Sequence, residues 1–179
     1  MNIDNFLLKK TNSYFQKISV DVHRKTFGNN SYEYIAIEPT FVYDALNIIK
    51  SLDGKFNNFK FLDVGSGVGH ICGIAELMGL KAEGIEYNSV LFDISKKMYP
   101  EINVYYMDIR KFNNYHEYDI IYYYAPFFND ELLIQLKEKI ENIMNVGSYI
   151  ISGSYEKKDD RFMCLGQDKL KNRIWMKIK

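Results

Sequence analysis

The run FLDVGSGVG at residues 61–69 places a carboxylate, Asp63, two residues ahead of the first of three glycines, Gly65, Gly67 and Gly69, with Ser66 among them. Backbone without side chains admits close approach by a phosphate or sugar edge, which gives glycine a reason at such positions. A second carboxylate, Glu86, closes the run KAEGIE, where it can accept both hydroxyl hydrogens of a ribose. Asp108 closes a third run, INVYYM, and can accept a hydrogen bond from an adenine amino group. Together these residues read as a site for an adenosine-containing cofactor. Each also has a plainer reading: a tight strand–helix turn for the glycines, a helix cap for Glu86, a turn residue for Asp108. Asp63 narrows the chemistry. A carboxylate facing pyrophosphate is unfavourable, so this position favours a cofactor with a positive pole, whose ammonium it binds unless it instead organises the loop amides. The Gly-Lys-Ser/Thr phosphate loop is absent, because Val68, Gly69 and His70 follow Gly67; this argues against ATP or GTP hydrolysis.

Such carboxylates need strands to carry them. Short apolar runs at 59–64, 82–86, 102–107, 118–124 and 148–153 alternate with helical patterns at 70–78, 89–98 and 130–144. That alternation predicts right-handed crossovers and a mainly parallel sheet between helical layers. Upstream, EPTFVYDALNIIKSLDG reads as a helix with Pro39 in its first turn and Val42, Ala45, Leu46, Ile49 and Leu52 on one face. Residues 2–27 are read as mostly helical and GNN at 28–30 as a turn. The tail predicts a hairpin of two short strands, 161–165 and 174–179. The chain is thus expected to be one domain over 1–179, with 1–55 a helical lead-in to the cofactor-binding core.

The 179 residues suit one domain that buries about two-thirds of its unfolded surface. Twenty-three basic and twenty-three acidic residues cancel, so no global charge attracts nucleic acid or an anionic membrane. No run approaches the ~18 apolar residues of a membrane span, and the N-terminus lacks the apolar core of a signal peptide. An intracellular, cytoplasmic location is the expectation. Two cysteines, Cys72 and Cys164, are too few and too far apart for a disulfide scaffold; Cys72 reads as a buried small side chain. Three scattered histidines, His23, His70 and His116, offer no metal site, and His70 reads as a helix-start residue.

FLDVGSGVG, GIEYN, YYMDI and YDIIYYYAPF resemble the successive cofactor-binding segments of class I S-adenosylmethionine-dependent methyltransferases, over roughly residues 34–154. The resemblance implies a Rossmann-like α/β fold with a seven-stranded sheet ordered 3-2-1-4-5-7-6, helices on both faces and the last strand antiparallel. It implies S-adenosyl-L-methionine as cofactor, with Asp63 and Gly65 by its methionine portion and Glu86 on its ribose. Asp108 and Ile109 would bracket the adenine, and Tyr87 would cover an adenine or ribose face. The run YIAIEPT with LDVGSGVG also resembles the Dot1-like lysine methyltransferases and their small prokaryotic relatives. By that likeness Glu38 and Thr40 help enclose the cofactor.

The acceptor is read from the end of the fourth strand. Tyr122, Tyr123, Tyr124, Phe127 and Phe128 cluster there, and an apolar aromatic channel favours the neutral amine that methyl transfer to lysine requires. Strand alternation sends Tyr122 and Tyr124 to one face and Tyr123 to the other, and Tyr124 is the residue expected to line the channel. YAPF stands where relatives that methylate base or glutamine amino groups carry Asn/Asp-Pro-Pro-Tyr/Phe, although Asn129 lies close by. The expected function is methyl transfer to an amino group, with protein lysine as acceptor. The alternatives are a small-molecule or RNA methyltransferase, a non-catalytic relative that acts as a binding protein, and an NAD-binding oxidoreductase.

Overall fold

The computed structural model describes residues 39–124, 126, 130–153, 160–167 and 173–179. The helix expected over 2–27, the turn at 28–30, and Glu38, Phe127, Phe128 and Asn129 lie outside them.

Strands β1 (Lys60–Val64), β2 (Lys81–Glu86), β3 (Asn103–Tyr106), β4 (Ile120–Tyr123) and β5 (Tyr149–Ser152) pair in parallel. Strand β7 (Arg173–Lys177) lies antiparallel between β5 and β6 (Phe162–Gln167), and the order is β3-β2-β1-β4-β5-β7-β6. The sheet is the one the resemblance implies, with its last strand inserted antiparallel. Because both faces are covered, the central strands are apolar almost throughout rather than alternating. Val64, Ile121 and Tyr123 pack on one side of the sheet, while Phe61, Ile120 and Tyr122 pack on the other. Helices α1 (Pro39–Leu52) and α2 (His70–Leu77) contribute to the second side. The 3-10 turns at 109–111 and 115–117 and helix α4 (Asp130–Ile143) contribute to the first. Helix α3 (Ser89–Met98) follows β2, and the side chain of Asn88 caps it by accepting from the N–H groups of Val90 and Leu91.

One expected core position differs. Val42, Ala45, Leu46 and Ile49 are buried, but Leu52 is 60% exposed. Helix α1 ends there, and the chain turns so that Phe56, not Leu52, fills the core ahead of β1. Strand ends shift by at most two residues. The fourth strand begins at Ile120, not Tyr118: Asp119 at its entrance bonds β1 instead, its Oδ2 accepting the Lys60 N–H at 2.8 Å. The terminal hairpin starts one residue later in β6 and one earlier in β7 than the pattern predicts, and a bulge at Cys164–Gly166 absorbs the register. Lys177 of β7 is buried and donates from Nζ to the carbonyls of Glu141 and Met144, both at 2.8 Å. A cation thereby satisfies carbonyls at the C-terminal end of α4, tying the hairpin to that helix.

Ile121 is fully buried on the central strand β4. Ile121→Ala is expected to destabilise by about 2–5 kcal/mol through lost burial and a residual cavity. Leu52→Ala is expected to stay within about 0.5 kcal/mol of the parent. Urea unfolding of the two variants reads both.

Candidate functional site

The C-terminal ends of β1 and β2 build the centre of the site. After Val64 the chain turns through Gly65, Gly67 and Gly69, whose φ values of 89°, 54° and 83° lie in the left-handed region. At Gly65 a side chain is excluded twice, by that φ and by Pro126, whose Cβ would lie 3.2 Å from an added Cβ. The loop amides are directed toward β2. Gly65 and Ser66 both donate to the Ile85 carbonyl, at 3.0 and 2.9 Å, and Gly67 donates to Glu86 Oε2 at 2.7 Å. Glu86 Oε1 accepts the Asn88 N–H at 2.6 Å. Glu86 is buried, and burial raises its pKa against the opposing pull of the Asn88, Gly67 and Tyr87 amides. This carboxylate does not cap α3; Asn88 does. It clasps the turn after β1 to the turn after β2.

Asp63 lies in register between Gly84 of β2 and Tyr122 of β4, and is 2% exposed. Burial, and then the Glu86 carboxylate, push its pKa up to about 8, only partly offset by the Cys72 thiol at 3.9 Å. The Asp63 carboxyl is thereby biased toward its protonated form. Ser66 turns inward: a Cβ on Gly84 would meet Ser66 Oγ at 2.7 Å, which leaves glycine as the side chain that fits opposite it. Sequence reasoning treated Cys72 as inert filler. It is buried as expected, but it is also the neighbour of Asp63, legible only once α2 is folded back over β1. His70 opens α2, as expected; it is buried, with Nδ1 3.1 Å from the Tyr99 hydroxyl, and burial lowers its pKa to about 4.

The third carboxylate is engaged. Asp108 follows β3 and caps the next 3-10 turn by accepting the Arg110 N–H at 2.9 Å. Both of its oxygens also accept from the Arg110 guanidinium, and this pairing holds the carboxyl below the usual range. Ile109 points into the core beneath β1 and β2. Tyr87 is 65% exposed at the end of β2, and Tyr106 is exposed at the end of β3, its ring 5.3 Å from that of Phe92. Arg110 is the residue the sequence reading missed; its signal was a basic residue two positions after a turn aspartate.

Tyr122 and Tyr123 are core residues on opposite faces of β4, whereas Tyr124 is half-buried at its end. Thr40 is half-buried in the first turn of α1. Among the described residues there is no group of three His, Cys, Asp or Glu side chains able to hold a metal ion. No helix among them is long and apolar enough to cross a membrane.

Neither a protein-family model nor a curated protein matches the sequence. Solved structures do match the fold. An RNA methyltransferase from Salinibacter ruber, in complex with S-adenosyl-L-homocysteine, superposes with a TM-score of 0.59 at 18% identity, covering 78% of this chain and 91% of that one. A proposed RNA methyltransferase from Pyrococcus horikoshii gives a TM-score of 0.61 at 17% identity, covering 92% and 99%. The amino pentose methyltransferase CalS10 from Micromonospora echinaspora, bound to S-adenosylmethionine, gives 0.57 at 12% identity, covering 76% and 67%. The chain has the class I methyltransferase fold. In this methyltransferase fold the glycine turn, Asp63, Glu86 and Asp108 share the C-terminal edge of the parallel strands, where ligands of open α/β sheets sit.

The raised pKa of Asp63 has a sign that unfolding can read. Between about pH 4 and pH 8 the folded chain holds a proton that the unfolded carboxyl, at 3.8, has released. Its contribution to stability is full below the unfolded value and is lost as pH rises through about 8. The stability of Asp63→Asn relative to the parent is therefore expected to improve with pH across this window, by up to about 1.4 kcal/mol per pH unit. Urea unfolding across the window checks it; a difference that does not change with pH would show the carboxyl to be ionised.

Proposed function

We propose that this protein is an S-adenosylmethionine-dependent methyltransferase that acts on an amino group. The observation that carries the reading is the pair of buried carboxyls, Asp63 and Glu86, at the ends of adjacent parallel strands on either side of a glycine turn. A pyrophosphate cofactor suits such a pair poorly, whereas an adenosyl group with an ammonium at its other end gives each carboxyl a partner.

The residues fit the group. Asp63 and Gly65 would flank the methionine portion, with Ser66, Gly67 and Gly69 shaping the turn. Glu86, with lone pairs left beyond its two short backbone contacts, would accept from the ribose hydroxyls. Asp108 and Tyr87 would border the adenine, with the Asp108 carboxyl shared between the ligand and Arg110, while Ile109, its side chain in the core, would offer only its backbone there. Thr40 and Glu38 would close the methionine side. When bound, the cofactor supplies an electrophilic sulfonium methyl, so the protein needs no nucleophile of its own. The chain's task is to orient a neutral amine and exclude water. Tyr124, at the end of β4, serves that task by shape and hydrogen bonding.

The finer reading is protein lysine as acceptor. It rests on Tyr124 at the end of β4, the one member of the tyrosine run at 122–124 that the cores leave half-buried, and on the short Dot1-like segment at Glu38–Thr40. RNA is the second reading, favoured by the two RNA methyltransferase structures, of which this chain covers 91% and 99%.

Calorimetry with S-adenosylhomocysteine is the first test. Glu86→Gln keeps the side chain's outline but replaces one of its two backbone-bonded acceptors by a donor, and is expected to weaken binding by about 1.5–3 kcal/mol, roughly ten- to hundredfold. Unchanged affinity would remove Glu86 from the ribose site, and NAD binding in place of S-adenosylhomocysteine would reject the reading outright. Methyl-labelled S-adenosylmethionine offered with protein, RNA and small-molecule fractions of a cell extract then identifies the acceptor. The expected result is base-stable label on protein. Label confined to RNA selects the second reading, and label in neither, with cofactor bound, selects a small-molecule enzyme or a binding protein.

A further inference from the structure

We infer that Asp63 is the proton-bearing member of a buried carboxyl pair, and that a cationic ligand group seated beside it replaces the proton, so that ligand binding releases one proton to solvent. The inference rests on the functional reading above, which places an ammonium next to Asp63.

Asp63 and Glu86, both withdrawn from water at the ends of neighbouring strands, act on each other as like charges, which disfavours ionising both. Which of them keeps the proton follows from their donors. Glu86 accepts backbone N–H groups on both oxygens, at 2.7 Å from Gly67 and 2.6 Å from Asn88, and these donors favour its charged form. Among the described residues Asp63 has the Cys72 thiol as its donor, at 3.9 Å, and that Sγ also lies 3.5 Å from the Glu83 carbonyl oxygen. Among the described residues the other groups around Asp63 supply no cation. From β2 come Glu86 and the bare Gly84, from β4 Tyr122 in the paired register, from α2 Cys72. From the turn comes Ser66, whose buried hydroxyl has no partner among the described residues. His70, on the same helix as Cys72, is turned to Tyr99 and is neutral because burial lowers its pKa to about 4. Among the described residues the groups that shift Asp63 include no lysine or arginine.

The exchange balances without covalent change. The carboxyl O–H bond breaks, its proton passes to buffer, and the carboxylate pairs with an ammonium that stays protonated.

The test uses the full chain and two probes. S-Adenosylhomocysteine carries the ammonium; 5′-methylthioadenosine has the adenosine and sulfur without it. Calorimetry near pH 7 in buffers of different ionisation enthalpy is expected to report close to one proton released by the first probe and none by the second. Between about pH 6 and 7, below the range in which an α-amino group titrates, the affinity for S-adenosylhomocysteine should rise about tenfold per pH unit while that for methylthioadenosine stays level. Difference infrared spectroscopy should show a protonated-acid carbonyl band in the free protein that vanishes on adding S-adenosylhomocysteine. In Asp63→Asn the band and the proton release should both be missing; the parent's pH series and infrared bands decide the matter by themselves if that variant does not fold. Binding of S-adenosylhomocysteine without proton release overturns the inference and leaves the functional reading standing. No binding of either probe between about pH 6 and 9 overturns both.

Discussion

The Glu86 carboxylate holds two turns together. One oxygen accepts the Gly67 N–H and the other the Asn88 N–H, so the glycine turn after β1 and the entry to α3 after β2 have a common anchor. Backbone N–H groups in such turns have no ladder partner, and leaving them buried without one costs about 1–3 kcal/mol each. The carboxylate satisfies them, and they in turn make its burial tolerable. The Ile85 carbonyl adds to the same clasp by accepting from Gly65 and Ser66. The shape of the glycine turn thus depends on β2 as much as on its own φ angles.

The clasp has an electrostatic consequence. Donors spent on Glu86 are not available to Asp63, two strand positions away in register terms and more deeply buried. The two acids therefore diverge in character although both belong to the same sheet edge. Asp108, on the next strand out, is different again, because an exposed arginine two residues on pairs with it and keeps it ionised. At the ends of β1, β2 and β3 the three acids run from one whose burial raises its pKa, to one held by backbone amides, to one paired with a guanidinium. Under the proposed reading, a ligand spanning all three would set a cation beside Asp63 and hydrogen-bond donors beside Glu86 and Asp108.

Elsewhere the sheet is held by less specific means. Apolar strands buried on both faces, a phenylalanine in place of Leu52 at the foot of β1, and Lys177 reaching the last carbonyls of α4 assemble a frame rigid enough to hold the turn. Glu83, on the other face of β2 from Glu86, accepts from Tyr105, Tyr118 and Asn103 and joins β2 to β3 and to the entrance of β4. That network lies away from the site and accounts for a tyrosine-rich segment through structure rather than through stacking on a ligand.

The order of strands and helices, the position of the three acids at strand ends, and the place of the glycines were all legible in the sequence, because period, apolar runs and turn residues are properties of neighbouring positions. The insertion of β7 was legible only through the resemblance. What folding alone decided is the state of each acid. Whether Asp63 keeps a proton depends first on its burial, then on Glu86 from the strand beside it and on Cys72 from the helix above, and whether Asp108 is open depends on the rotamer of Arg110. Likewise, three adjacent tyrosines look equivalent in a string, yet Tyr122 and Tyr123 are drawn into opposite cores and Tyr124 is left at the rim. Burial and charge are set by contacts between residues far apart along the chain, and a local pattern carries the positions of those residues but not their company.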